Sequence, residues 1–128
     1  MDKKKVKRAL WVLCVVWAAV IFIGCVLPSN VLPSVKFMSA DKVAHFCFFF
    51  VLCVLLGLLL CFKTKQNHVQ IVLLVTLSAF LYGGIIELLQ SELFDRTRDL
   101  YDLIADVAGG FVGGLCYRWF AKRLKIST

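Results

Sequence analysis

The chain has 128 residues, of which 61% are hydrophobic and only 18% are charged, and its mean hydropathy is +0.86. A soluble domain of this length cannot enclose so much apolar surface, so the composition excludes the soluble globular classes and indicates a membrane protein. The net charge of +7 does not indicate a nucleic-acid partner, because membrane topology and anionic lipid explain its distribution.

Four apolar runs follow one another along the chain: residues 10–27, 43–62, 69–89 and 100–120. Each has about the 17 to 25 residues that a helix needs to cross the hydrocarbon layer of a bilayer. No repeat period and no low-complexity segment interrupts them, so we expect one domain over residues 1–128. The prediction is an all-α, membrane-spanning four-helix bundle.

The flanking charges predict the orientation of these runs. Eleven of the fifteen basic residues precede the first run, join the second to the third, or lie at the end of the fourth and beyond it. Seven of the eight acidic residues lie at the opposite ends. Because loops rich in lysine and arginine stay on the cytoplasmic side of a membrane, both termini are predicted to be cytoplasmic.

The first run also has features of a secretion signal, since basic residues precede it and FIGC, at residues 22–25, is similar to a lipoprotein cleavage site. The run is longer than the roughly 7 to 15 apolar residues of such a signal and has no A-x-A-like site, so we expect an uncleaved span. Whether Cys25 is ever lipidated stays open. The six cysteines have no C-x-x-C spacing and are predicted to be small apolar residues, although Cys25 and Cys47 lie toward the same side and can pair.

The first outer loop, at residues 28–42, contains both prolines and is predicted to be extended or turn-like. The second helix should begin near its end, with Ser39 or Asp41 as the cap. Asp41 and His45 are four residues apart and therefore share a helix face, where the two side chains can form a hydrogen bond. Short connections make helices 2 and 3, and helices 3 and 4, antiparallel neighbours.

The fourth run opens with FDRTRDLYDLIADVAGG, at residues 94–110. Its acidic residues and glycines share one helix face, because they are spaced 3, 4, 3 and 4 residues apart; they are Asp99, Asp102, Asp106, Gly109 and Gly113. At ~1.5 Å per residue, Asp106 lies about 9 Å into the helix. An unpaired charge facing lipid there costs about 2 to 3 kcal/mol or more. The stripe is therefore predicted to face protein or water, with its glycines allowing close helix contact.

Three helices and one loop bring polar side chains to the same level of the membrane. The candidate ligand-binding residues are Asp41, His45, Glu87, Gln90, Arg96, Arg98, Asp99, Asp102 and Asp106. The alternative to a binding site is a purely structural role for these residues. In that case the aspartates at helix starts act as caps, and Glu87 and Asp106 pair with Arg96 or Arg98.

Three chemistries are open to this set. Carboxylates and a histidine can bind a divalent cation, although the spacing matches no defined metal motif. A histidine beside carboxylates can move a proton, with His45, Glu87 and Asp102 as the catalytic candidates. Arg96 and Arg98 can hold a phosphate or carboxylate through bidentate hydrogen bonds. The sequence requires no cofactor.

Three blocks of the sequence resemble the signature blocks of the VanZ-like membrane proteins. They are DKVAHF at residues 41–46, YGGIIELLQ at 82–90 and RTRDLYDLIADVAGGFVGG at 96–114. The resemblance carries the signature over to Asp41, Lys42, His45, Glu87, Gln90, Arg96, Asp102, Gly109 and Gly113. The chain departs from it at Asp106, where an asparagine is expected, at Phe49, often a tyrosine, and at Phe94-Asp95, often Pro-Gly.

The family takes its name from a protein associated with resistance to teicoplanin, a lipid-bearing glycopeptide that binds wall precursors at the outer membrane surface. The resemblance implies a setting, that of a multi-pass protein of the bacterial inner membrane. From the convergence of polar residues at one level, we expect an outward-facing pocket that binds an amphiphilic envelope ligand, such as a lipid-linked wall precursor or a lipoglycopeptide. The alternative is a membrane enzyme that performs acid/base or metal-assisted chemistry on a lipid headgroup. Proton or cation transport ranks third, because the inner halves of the four runs have almost no polar residues.

Overall fold

The computed structural model describes residues 2–26, 38–63, 67–93 and 99–126. In these ranges the chain forms four helices and no strand. The helices are α1 (Lys3–Val26), α2 (Met38–Lys63), α3 (His68–Leu93) and α4 (Leu100–Arg123). Each is long and apolar enough to cross a membrane. The predicted all-helical architecture, with four helices long and apolar enough to span a membrane, is confirmed, while the orientation of the termini stays a prediction. Of the predicted loop at residues 28–42, residues 28–37 lie outside the described ranges and residues 38–42 belong to α2.

The helix starts agree with the sequence at α4 and differ at α2. Asp99 is the N-cap of α4, and its Oδ1 accepts a hydrogen bond of 2.9 Å from the backbone N–H of Tyr101. In contrast, α2 begins at Met38, so Asp41 lies within its first turn and does not cap it. The predicted cap at Ser39 or Asp41 is therefore wrong, because both residues lie inside the helix, although the charge of Asp41 still interacts favourably with the N-terminal end of the helix dipole.

The bundle is organised around α2, which contacts the three other helices. Its most extensive contact is with α4, to which it runs parallel, and α3 runs antiparallel to both. Within the described ranges α1 and α4 make no contact. One end of the bundle, here called the polar end, is formed by the N-terminal turns of α2 and α4 and the C-terminal turns of α1 and α3. The opposite, basic end contains both ends of the described chain.

Two glycines of α4 face the backbone of α2. A Cβ atom on Gly109 would overlap the carbonyl oxygen of Phe46, and one on Gly113 would overlap that of Phe50. Each glycine therefore removes the side-chain volume that would otherwise hold the two backbones apart. The helix that this pair approaches is α2.

A second glycine pair, offset by one residue, faces α3. A Cβ atom on Gly110 would lie 2.5 Å from Cβ of Ala79, and one on Gly114 would lie 2.7 Å from Cγ2 of Val75. Because consecutive helical residues point about 100° apart, the two overlapping glycine pairs face two different helices, α2 and α3. Thus α4 packs tightly against α2 and α3 at the same level.

Side-chain hydrogen bonds attach α1 to the side of this three-helix unit. Trp17 Nε1 donates to the carbonyl oxygen of Phe48 at 2.9 Å, and the hydroxyl of Tyr82 donates to the carbonyl oxygen of Ala18 at 2.6 Å. These donors would lack partners in lipid, so burying them against a helix backbone satisfies them. The outer surface remains apolar, as expected for a protein surrounded by acyl chains.

We expect the substitution Gly109→Ala to lower the free energy of unfolding by about 1 to 3 kcal/mol, the usual cost of overpacking a tight contact. The added methyl group collides with a backbone carbonyl, which cannot move away without displacing α2. The measurement is thermal unfolding in detergent, followed by the helical circular dichroism signal.

Gly84→Ala is the matched control, because a Cβ atom there meets no heavy atom within 4 Å. It should leave stability unchanged or raise it by up to about 1 kcal/mol through helix propensity. Equal stabilities for the two variants would contradict the close packing of α2 on α4.

Candidate functional site

A lysine of α2 joins two aspartates at the start of α4. Lys42 Nζ donates to Asp99 Oδ2 at 2.7 Å and to Asp102 Oδ1 at 2.9 Å. Hydrogen bonds from this ammonium group, and from the backbone N–H of Tyr101, hold the pKa of Asp99 below its ordinary value. The bridge thus fixes α2 against α4 at the polar end.

One turn deeper, a histidine of α2 bonds to the third aspartate of the stripe. His45 Nδ1 lies 2.9 Å from Asp106 Oδ1, and the two residues are 5% and 0% exposed. His45 therefore does not have the interfacial position, bonded to Asp41, that the sequence allowed. With Asp106 ionised, Nδ1 is the donor of this hydrogen bond, and the other ring nitrogen, Nε2, faces Asp102, whose Oδ2 is 4.0 Å away.

Two buried carboxylate oxygens have no hydrogen-bond partner among the described residues: Glu87 Oε1 and Asp106 Oδ2. The other oxygen of Glu87 accepts a hydrogen bond of 3.2 Å from the backbone N–H of Asp99. Asp106 Oδ2 faces Gly83, where a Cβ atom would lie only 2.6 Å from it. A buried acceptor without a donor costs about 1 to 3 kcal/mol. Of the two residues, Glu87 also lines a groove, described below, whereas Asp106 is enclosed by the helices around it.

The remaining predicted site residues divide into three groups. Asp41 is exposed, yet one of its carboxylate oxygens belongs to a cluster with His45 and Asp102. The buried amide of Gln90 donates to the carbonyl oxygen of Cys25, so it joins α3 to α1 instead of reaching the carboxylates. Residues 94–98, which include both predicted anion-binding arginines, lie outside the described ranges.

The two outward cysteines are not joined to each other. Cys25 is buried in the last turn of α1, whereas Cys47 is exposed on α2, and no disulfide links them in the described structure. The alternative that the sequence left open, a Cys25–Cys47 pair, is therefore not formed.

An apolar groove of about 480 Å³ runs between α3 and α4 on the outer surface of the bundle. Its walls include Phe80, Leu81, Leu88 and Leu103, and two acidic residues, Glu87 and Asp99, line it as well. Phe80, Leu81 and Leu88 are half exposed, so the groove is open to the surrounding lipid. Its volume is in the usual range for small-molecule sites, about 300 to 1,000 Å³.

Comparison with known families gives one match. The family model described as VanZ/LLP1 matches residues 10–121, most of the chain and all of the polar end. The chain belongs to the VanZ/LLP1 family. No curated protein and no solved structure matches it.

Membership confirms the identification made from the three sequence blocks. One residue of the VanZ signature, Lys42, was absent from the predicted ligand set. The structure places it at the centre of the α2–α4 charge contact. Its position one turn before His45, at an end of the bundle where acids predominate, was the signal for its role.

We expect Lys42→Met to destabilise this VanZ/LLP1 chain, because it leaves the buried carboxylate of Asp102 without its counter-charge. Breaking a buried ion pair costs about 3 to 5 kcal/mol and breaking an exposed one about 0 to 1 kcal/mol. Since the Lys42 side chain is 29% exposed and that of Asp102 is 8% exposed, a loss of about 1 to 2 kcal/mol is expected. Thermal unfolding in detergent measures it.

The control is Lys122→Met, an exposed lysine in the last turn of α4 at the basic end. It should change stability by less than about 0.5 kcal/mol. Adding Asp102→Asn to Lys42→Met should restore part of the lost stability, because the uncompensated charge is then absent. Additive effects of the two substitutions would show that the ion pair does not hold α2 against α4.

Proposed function

We propose that this VanZ/LLP1 protein binds an amphiphilic cell-envelope ligand, with its chain in the groove between α3 and α4 and its headgroup at the polar end. The observation that carries the proposal is the composition of the groove: apolar side chains form its walls, and the carboxylates of Glu87 and Asp99 are its acidic groups. A groove with apolar walls and acidic groups matches an amphiphile, a molecule that has one apolar part and one polar part.

The apolar walls select the position of the ligand more than they raise its affinity. An acyl or isoprenoid chain that enters the groove leaves lipid, not water, so no hydrophobic gain accompanies the transfer. Contacts with Leu81, Leu88 and Leu103 then supply van der Waals packing and direction. Most of the affinity must therefore come from the headgroup.

The oxygen of Glu87 that has no partner among the described residues indicates that the headgroup carries a hydrogen-bond donor. An acceptor requires a donor, so sugar hydroxyls or an amine of the ligand would bond to Glu87 Oε1. An anionic group of the same ligand would bind Arg96 and Arg98, which precede Asp99 in the chain. Lipid-linked wall precursors and lipoglycopeptides such as teicoplanin combine these features.

The charge distribution supports an outward-facing polar end. Eleven basic residues lie at or beyond the basic end, and they favour the cytoplasmic side of a bacterial inner membrane. The groove would then open to the outer leaflet, where lipid-linked precursors are presented to the wall machinery. Binding there would affect sensitivity to teicoplanin.

We expect Glu87→Gln to weaken binding by about 10- to 100-fold, since a hydrogen bond to a charged group contributes about 1.5 to 3 kcal/mol. The probes are teicoplanin and an undecaprenyl-pyrophosphate-linked disaccharide pentapeptide, titrated against the purified protein in lipid nanodiscs. Gly84→Leu should fill the groove and weaken teicoplanin binding, because Gly84 lines it and has open space around its Cα.

Two controls separate binding from folding. Leu77→Ala changes an exposed residue of α3 outside the groove and should bind as the unsubstituted protein does. Teicoplanin without its acyl chain should bind the Gly84→Leu variant and the unsubstituted protein equally. If well-folded Glu87→Gln and Gly84→Leu variants kept full affinity for both probes, the proposal would be wrong.

A membrane enzyme acting on a lipid headgroup is the second candidate, and the His45–Asp106 hydrogen bond favours it. A carboxylate that orients a histidine through one ring nitrogen leaves the other nitrogen to take or give a proton. His45 would be the acid/base residue, with Glu87 and Asp102 as the other catalytic candidates.

This candidate predicts turnover of a polyprenyl-phosphate or phospholipid substrate by the purified protein, with and without divalent cations. His45→Gln should reduce the rate by about 100-fold or more, the usual contribution of a general acid or base. His68→Gln, at the basic end, should leave it unchanged. Absence of turnover across a panel of envelope lipids would exclude this candidate and leave the binding proposal in place.

A further inference from the structure

A separate cluster lies on the opposite side of α4 from the groove, between α4 and α2. Asp41, His45 and Asp102 each contribute one ligand atom, and these atoms all lie within 4.8 Å of one another. We propose that the three side chains bind one divalent transition-metal ion, zinc or manganese, and that Asp106 is the positioning residue behind His45. This goes beyond amphiphile binding, which does not require the ion.

The orientation of His45 is the observation that distinguishes this cluster from acidic residues that lie close together by chance. Histidines that bind metals commonly donate the other ring N–H to a carboxylate, which fixes the tautomer and aims the free nitrogen. Here Asp106 is that carboxylate, at 2.9 Å from Nδ1. His45 is 95% buried, and its Nε2 lies 4.0 Å from Asp102 Oδ2, too far for a hydrogen bond. Nε2 is therefore the ring nitrogen that faces the Asp102 carboxylate, and a cation between the two would be held by both.

The distances fit an ion between the ligands. Two atoms bound at about 2.0 to 2.2 Å from one ion are at most about 4.4 Å apart. The 4.0 Å between His45 Nε2 and Asp102 Oδ2 already satisfies this limit. Asp41 is exposed in the first turn of α2, so its carboxylate can rotate to complete the site.

The local charge attracts a cation despite a lysine nearby. Lys42 bonds Oδ1 of Asp102 and leaves Oδ2 facing His45. Among the described residues, carboxylates outnumber basic groups at the polar end; the acids are Asp41, Glu87, Glu92, Asp99, Asp102 and Asp106. The net charge of these groups remains negative when Lys42 is charged. In surroundings of low dielectric constant, this negative charge strongly favours the binding of a divalent cation.

The donor set restricts the identity of the ion. One imidazole nitrogen and two carboxylate oxygens suit zinc or manganese better than calcium, which takes six to eight oxygens. Three protein ligands also leave coordination positions for water or a ligand oxygen. Because Asp41 is exposed, those positions are reachable from the headgroup level of the polar end.

The test uses the full chain, purified in detergent and treated with EDTA, and titrated with zinc chloride or manganese chloride alone. Calorimetry and elemental analysis should find one ion per chain. Asp41→Asn should weaken binding at least 10-fold, and His45→Gln should abolish saturable binding. Asp106→Asn should weaken it by about 10- to 100-fold without removing a ligand. In cobalt-loaded protein it should also shift the visible absorption bands, a change that loss of packing alone would not produce.

Matched controls are Glu92→Gln, an exposed acid near the polar end, and His68→Gln at the other end. Both should bind the ion as the unsubstituted protein does. Asp41 is exposed, so Asp41→Asn tests the site even if the buried variants fail to fold. No stoichiometric binding, or binding unchanged by Asp41→Asn, would overturn the proposal. Neither outcome would alter the Glu87-dependent binding of amphiphiles, which has its own probes.

Discussion

The buried carboxylates of α4 can exist at this depth only because α2 lies close enough to give them partners. Asp102 and Asp106 would be costly in lipid as single charges, and Lys42 and His45 reach them from α2. That reach depends on the backbone contact at Gly109 and Gly113. Packing and charge pairing therefore constrain each other, since neither small residues nor ion pairs would suffice alone.

The polar end is also divided by α4 into two environments. Toward α2 the acids meet a lysine and a histidine in a dense, mostly enclosed cluster. Toward α3 they meet an open apolar groove, where Glu87 has one oxygen without a partner among the described residues. Asp99 takes part in both, through Lys42 and through its own backbone N–H. Asp99 is thus the residue that the two environments share.

Much of this was predictable from residue spacing. Hydropathy identified the four helices, and the 3-4-3-4 spacing of aspartates and glycines placed them on one buried face of α4. Which helix that face would meet was not predictable, because helical periodicity fixes direction around one axis and not the neighbour. The same limit explains His45: Asp41 was its obvious partner along the helix, yet tertiary packing brought Asp106 closer. Gln90 likewise had an apparent place among the acids, but a carbonyl of α1 was the nearer acceptor.

The peripheral position of α1 has a topological consequence. Every residue of the polar cluster and the groove belongs to α2, α3, α4 or the residues that join them, and α1 makes no contact with α4 within the described ranges. Three helices alone would leave the two chain ends on opposite faces of a bilayer. A fourth helix changes an odd number of crossings to an even one and returns both ends to the same face. With each helix crossing the bilayer once, α1 makes the number of crossings even, while the charged residues of the polar end and the groove lie on the other three helices.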